Sequence, residues 1–210
     1  MKGRMHNQSG KSLAYSAACE RNKQPIRDVL AHFLPTEGTV FEVGSGSGQH
    51  VVYFAHEFDH LKWQPSDTGV YLPELKIRLE HEAPSNVLAP LEVDVRDERW
   101  VDMPVQGVFT ANTLHYMSVE CGAQFFSGAS RSLATGGTLI IYGPFKYGGE
   151  YTSPSNAEFD LWLKQGDALR GVRDFEWVCQ QAASNGFCFI TDIQMPANNQ
   201  MLVWSLPAGD

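Results

Sequence analysis

The chain has 210 residues, 43% of them hydrophobic and 19% charged, with a formal net charge of −8. That length fits a single domain spanning 1–210 that needs no metal or disulfide staple, and an acidic balance without a run of Lys or Arg argues against a nucleic-acid partner. Four cysteines without metal-type spacing, a polar start without a secretory core, and no apolar run near the ~18 residues of a membrane span point to a cytoplasmic protein.

Residues 1–12 read as a loose polar leader, and 13–35 as an N-terminal lid and helix segment. Pro25 suits a first helical turn, and Ile26, Val29, Leu30, Phe33 and Leu34 share one helical face that Pro35 and Gly38 terminate. A strand is expected over Thr39 to Val43. A helix carrying Val51, Val52, Phe54, Ala55 and Phe58 follows the glycines after it. The second strand is expected around Leu61 to Gln64, closed by Pro65 and Asp67, then a helix from Pro73 to about Glu82 and a third strand from Val87 to Val95. Gly107 to about Thr113 reads as the fourth strand, with Phe125, Phe126, Ala129 and Leu133 marking the next helix. Gly136-Gly137 reads as a turn and Thr138 to Tyr142 as a buried strand of the parallel type. Gly143 to Ser155 reads as a long ordered loop. A last helix is expected around Asp174 to Ala183, and two strands, Phe187 to Gln194 and Gln200 to Leu206, form a closing antiparallel hairpin. Alternating strands and helices predict a doubly wound α/β domain.

The stretch that carries chemistry is Glu42-Val43-Gly44-Ser45-Gly46-Ser47-Gly48-Gln49. A dinucleotide fingerprint places its third glycine where Gln49 stands, and a phosphate loop needs a Gly-Lys-Ser/Thr ending that is missing here. In the G-x-G-x-G spacing found, the backbone can pass very close to a ligand, and Glu42 supplies negative charge near a cation or amine. This arrangement resembles the first motif of the class I S-adenosylmethionine-dependent methyltransferases. The resemblance implies a Rossmann-like domain with a mostly parallel seven-stranded sheet and an antiparallel C-terminal strand. It implies S-adenosyl-L-methionine as cofactor, held by Glu42, Gly44, Ser45, Gly46 and Gly48. It further implies that Asp67 accepts from the ribose hydroxyls and that Asp94 and Val95 meet the adenine.

After the fourth strand, Asn112 is a candidate for the cofactor or the acceptor, and His115 for a general base, since an unperturbed imidazole titrates near neutrality. The Asn/Asp-Pro-Pro-aromatic signature of nucleobase amino-methyltransferases is not present at this place. The run Glu20-Arg21-Asn22-Lys23-Gln24-Pro25-Ile26 is similar to the DUF938 family of methyltransferase-like proteins. So are Asn112-x-x-His115, Ser155-Asn156-x-x-Phe159-Asp160 and Gly171-Val172-Arg173-Asp174.

From this resemblance Arg21 and Asn22 join the cofactor set, with Arg21 on the methionyl carboxylate or on an acidic substrate, and Tyr15 or Glu20 faces the acceptor. Tyr142, Tyr147 and Asn156 are candidates for the acceptor pocket, together with the aromatics Phe145 and Tyr151. The function expected is in-line methyl transfer to an unidentified acceptor, a small molecule, without a metal. The alternatives are a noncatalytic module that binds S-adenosylmethionine or S-adenosylhomocysteine and, less favoured because of Gln49, an NAD-type oxidoreductase.

Overall fold

The computed structural model describes residues 2–6, 12–102 and 104–207. It divides into two compact units, 1–94 and 95–210. Seven strands form an α/β sheet, mostly parallel, with an antiparallel strand from the C-terminal end of the chain. Among the described residues no helix is long and apolar enough to cross a membrane.

The first unit opens with β1 (Lys2–His6) and β2 (Ser12–Ser16), paired antiparallel in the stretch expected to be a loose leader. Helix α1 (Ala17–Phe33) starts well before Pro25, which was expected in its first turn, because Ser16 caps it by accepting from the Cys19 amide at 3.3 Å. Pro25 therefore lies inside the helix, where it removes one backbone hydrogen bond. The buried face of Asn22, Ile26 and Leu30 offsets that loss.

Next come β3 (Thr39–Val43), α2 (Gln49–Glu57), β4 (Lys62–Asp67), α3 (Leu72–Glu82) and β5 (Leu91–Glu92). Pro65 was expected to close its strand. It lies within β4 opposite Glu42, and the β5 ladder begins only at Ser66, so no inter-strand bond from β4 to β5 is lost there. The third strand is far shorter than expected. A single bridge joins Val87 to Trp63, Pro90 has no amide to continue it, and the Ala89 carbonyl accepts from the Gln64 side chain at 2.7 Å instead.

The second unit contains β6 (Val105–Ala111), a 3-10 turn (Leu114–Tyr116), α4 (Val119–Ser132) and β7 (Leu133–Gly143). Gly136 and Gly137, expected to form a turn, lie inside β7, where a register shift between Val105 and Gly107 takes up the irregularity. The expected loop from Gly143 is structured. It holds β8 (Phe145–Tyr147), β9 (Glu150–Tyr151) and the start of α5 (Pro154–Gly166), capped by Ser153. Then follow β10 (Arg173–Asp174), α6 (Phe175–Ser184), β11 (Cys188–Met195) and β12 (Asn199–Ser205).

The order across the large sheet is β11-β12-β7-β6-β3-β4-β5, and a small sheet runs β10-β8-β9. Strand β12 is antiparallel to both β7 and β11. Val40, Phe41, Val108, Phe109, Leu139, Ile140, Leu202 and Val203 are all buried, so the central strands bury consecutive residues on both faces, as helix-covered sheets do.

Helix α4 packs closely on Trp100. A Cβ added at Gly128 would lie 2.1 Å from the indole, a contact that the helix-forming gain of alanine, about 1 kcal/mol, does not offset. Gly128→Ala is expected to destabilise the protein by about 1–3 kcal/mol in urea unfolding, the cost usual for overpacking.

Candidate functional site

Between β3 and α2 the chain turns on Gly44 (φ 76), Gly46 (φ 56) and Gly48 (φ 76). All three lie in the left-handed region, where a side chain costs about 1–2 kcal/mol per residue. The turn is tied to the end of β4. Gly44 and Ser45 both donate their amides to the Ser66 carbonyl, at 3.1 and 2.8 Å, and the Ser66 amide donates to Ser45 Oγ at 3.2 Å. The Gly46 amide donates to Asp67 Oδ2 at 2.7 Å, while Asp67 Oδ1 accepts from Thr68 N at 2.8 Å. At Gly48 a Cβ would meet Leu75 Cδ1 at 2.9 Å, so that glycine is also needed for packing. At Gly46 nothing lies within 4 Å of a built Cβ.

Glu42, one residue before the end of β3, has 2% of its surface exposed. Burial pushes its carboxyl up to about 7; the Ser45 hydroxyl opposes the shift and the Asp67 charge adds to it. Its Oε2 is buried without a hydrogen-bond partner. A cradle open at Gly46, with a buried acceptor seeking a donor beside it, suits a ligand that brings an amine or ammonium close to the backbone.

Sequence reasoning missed the brace behind the turn. Arg78, buried on α3, donates from Nε to the Ser47 carbonyl and from Nη2 to the Ala14 carbonyl, each at 2.6 Å, and pairs through Nη1 with Glu82. Its signal was available: Arg78 stands three residues after buried Leu75, on the inward stripe of the helix. Gln49 makes a second tie, accepting from the Ser16 amide at 2.5 Å and from the Ser47 hydroxyl at 3.0 Å.

The Glu20 to Lys23 run lies on α1. Glu20 and Arg21 are exposed, and Glu20 pairs with Lys23. Asn22 is buried, and its Oδ1 lies 2.7 Å from His50 Nε2. Burial pushes the His50 imidazole down to about 4, so the ring is neutral and Asn22 holds the tautomer that carries its proton on Nε2. Asn22 thus links α1 to the first turn of α2. Tyr15 is half-buried in β2, opposite Gly3. Asp94 is half-buried just beyond β5.

In the second unit, Val95 lines a cavity of about 450 Å³ with Arg96, Gln124, Ser127 and Arg131. Asn112 has φ 56, a left-handed value uncommon outside glycine, and its amide donates to the Tyr142 carbonyl at 2.8 Å. His115 is buried in the 3-10 turn with its ring 5.0 Å from Phe159. Burial, with the Arg173 charge adding, pushes its pKa down to about 3. An imidazole held so low is a weak proton acceptor at neutral pH, which opposes the general-base role.

Tyr142 is buried in β7. Tyr147 donates its hydroxyl to Asp192 at 2.6 Å and stacks on Phe175. Asn156 is buried, and its amide donates to Thr152 Oγ1 at 2.8 Å and to the Asn198 carbonyl at 2.9 Å, fastening α5 to the turn between β11 and β12. The sequence offers these three as candidates for the acceptor pocket. The structure employs the hydroxyl of Tyr147 and the amide of Asn156 in packing contacts.

A family model described as "Protein of unknown function (DUF938)" matches residues 13–206. Among solved structures, the chain superposes on an O-methyltransferase family protein from Burkholderia thailandensis with a TM-score of 0.77 and 18% identity, covering 92% of this chain and 58% of the other. An O-methyltransferase family 2 protein from Planctomyces limnophilus, in complex with apigenin, gives 0.73 and 16%, covering 90% and 59%. Human N-acetylserotonin methyltransferase, in complex with SAM, gives 0.74 and 13%, covering 91% and 53%. The chain therefore has the fold of these methyltransferases and spans little more than half the length of each.

Glu42 makes stability depend on pH in a definite direction. Its folded pKa is raised, so between about 4.5 and about 7 the folded carboxyl keeps a proton that the unfolded chain has lost. Stability falls as pH rises through that window, and above it the full penalty, roughly 3 kcal/mol, is present. Glu42→Gln is expected to remove this decline, so that the variant gains on the parent between pH 5 and pH 8 in urea unfolding.

Proposed function

The chain belongs to the DUF938 family, and on that footing we propose that it is a methyltransferase using S-adenosyl-L-methionine to methylate a small-molecule acceptor. The observation that carries the reading is the left-handed glycine turn with its open position at Gly46 and the unpartnered Oε2 of Glu42 beside it. When bound, the cofactor supplies a methyl group already activated by its sulfonium.

Glu42 accepts from the cofactor's amino group, and this contact returns its carboxyl toward the ionised state. The peptide backbone from Gly44 to Gly48, including Ser45, lies against the methionyl portion. Asp67, whose oxygens take the amides of Gly46 and Thr68 at the end of β4, receives the ribose hydroxyls. Asp94 and Val95 serve the adenine, and Arg21, exposed on α1, serves the methionyl carboxylate.

On the acceptor side, Asn112 offers an amide from a left-handed backbone, and Tyr15 and Glu20 are further candidates. With an activated methyl group, alignment supplies most of the acceleration. A small-molecule acceptor is consistent with the Planctomyces limnophilus protein, whose structure contains apigenin.

One observation favours a second reading, a noncatalytic module that binds the same cofactor: His115 is buried, and that burial holds its imidazole low and weakens it as the expected base. S-adenosylhomocysteine binding in calorimetry, followed by product release with a panel of small hydroxyl, amine and thiol acceptors, separates the two. Binding without any turnover selects the module.

Gly46→Leu meets no protein atom near its Cβ, so it is expected to fold at a backbone cost of about 1–2 kcal/mol. It should nevertheless lose S-adenosylhomocysteine binding in calorimetry. Unchanged affinity would move the cofactor away from this turn.

A further inference from the structure

The segment Gly171-Val172-Arg173-Asp174 is not used by the cofactor cradle. It borders a cavity of about 200 Å³ lined by Lys146, Lys164, Gly171, Arg173, Asp174 and Trp177 among others. Small-sheet pairing explains the grouping: β10 lies parallel to β8 with Asp174 opposite Lys146, and their side chains pair at 3.1 Å. Lys164 reaches in from α5 and pairs with the buried Asp160 at 2.6 Å.

Arg173 is different. Its Nη2 donates to the carbonyls of Met117 and Leu169, yet its Nε is buried without a hydrogen-bond partner. Among the described residues it has no ion pair with a carboxylate; Glu120, Asp160 and Asp174 act on it only at longer range. The cavity lining carries three cations and one carboxylate; Lys146 is paired with Asp174 and Lys164 with Asp160, whereas Arg173 has no carboxylate in contact, Glu120 acting on it from a distance. In a chain of net charge −8 a cavity with excess positive charge runs against the average.

We propose that this cavity is an anion subsite that binds a carboxylate or phosphate group through Arg173, with Lys146 and Lys164 at its rim. A half-buried guanidinium with an unused N–H presents the fork that planar oxyanions engage. The volume suits the charged end of a ligand rather than a whole drug-sized molecule. Gly171 ties the cavity to the turn after β6, since its amide donates to the His115 carbonyl at 3.0 Å. Assigning the bound anion to the methyl acceptor rests on the methyltransferase reading, and makes that acceptor a small acid or phosphate ester. The anion site itself stands without it.

The test is calorimetric titration of the full chain with inorganic phosphate and, separately, with succinate, in low salt with and without S-adenosylhomocysteine. Trp177 fluorescence is followed in parallel. Saturable binding of at least one anion is expected, with a change in Trp177 emission, weakened by added NaCl. Arg173→Gln should weaken it about ten-fold or more, the usual cost of losing a charged hydrogen bond, while S-adenosylhomocysteine affinity stays at the parent value. Should Arg173→Gln fail to fold, Lys146→Gln serves in its place, with a weakening of several-fold expected. Trp177→Phe should remove the optical signal and retain the heat. Absence of saturable binding, or equal affinity in the parent and the folded variant, overturns the proposal. Anion binding in a protein that does not bind S-adenosylhomocysteine would refute the methyltransferase reading and leave the subsite standing.

Discussion

The first unit depends on one constraint, a strand-to-helix turn with three left-handed residues in five positions. Only glycine takes that path without cost, and three glycines so close together would leave the segment highly flexible in isolation. The surrounding chain removes that freedom by hydrogen bonding. Ser66 and Asp67, at the end of the neighbouring strand, take the amides of Gly44, Ser45 and Gly46, while Arg78 takes the Ser47 carbonyl from the other side. Because Arg78 also reaches the Ala14 carbonyl, the N-terminal segment is bound to the same brace. The turn is therefore shaped by the fold before any ligand arrives, and binding need not supply the ordering entropy.

Buried ionisable groups separate supporting residues from those poised for a ligand. Asp160 is as buried as Glu42, yet its carboxylate accepts from the Val172 amide, the Tyr151 hydroxyl and Lys164, and its pKa is lowered despite the cost of burial. Its bonds are complete, and it fastens β9, α5 and the strand after them. Glu42 has the Ser45 hydroxyl on one side and nothing on Oε2, so burial dominates and its pKa rises to about 7. A carboxyl left short of donors in this way destabilises the protein by itself, and such a group belongs at a binding site more often than in a scaffold. Arg173 is the cationic counterpart in the second unit, with one donor unused.

Several motifs that stand out by letter serve in ways their letters do not announce. Asn22, in the Glu-Arg-Asn-Lys run, is buried against His50 and holds α1 on α2, while Glu20 and Arg21 beside it face outward. The Ser-Asn-x-x-Phe-Asp run works almost wholly in packing: Asn156 fastens a distant turn and Asp160 a distant amide. Tyr147 offers its hydroxyl to Asp192, forty-five residues away.

What the sequence by itself determined is whatever depends on local periodicity and on residues that admit one backbone geometry. The strand Thr39 to Val43, the helices after it, the closing hairpin and the glycine turn were legible because apolar spacing and left-handed glycines carry their meaning within a few residues. Local signals misled where a distant partner decided the outcome. Pro25 sits inside a helix because that helix has a buried face, Pro65 sits inside a strand because its neighbour begins later, and the first part of the aromatic loop became a strand by pairing with Arg173 and Asp174. The role of each polar side chain was the least legible of all. Whether Glu42, Asp160, His115 or Arg173 is satisfied or left wanting a partner depends on donors, acceptors and burial contributed from far along the chain, and only the folded arrangement brings those together.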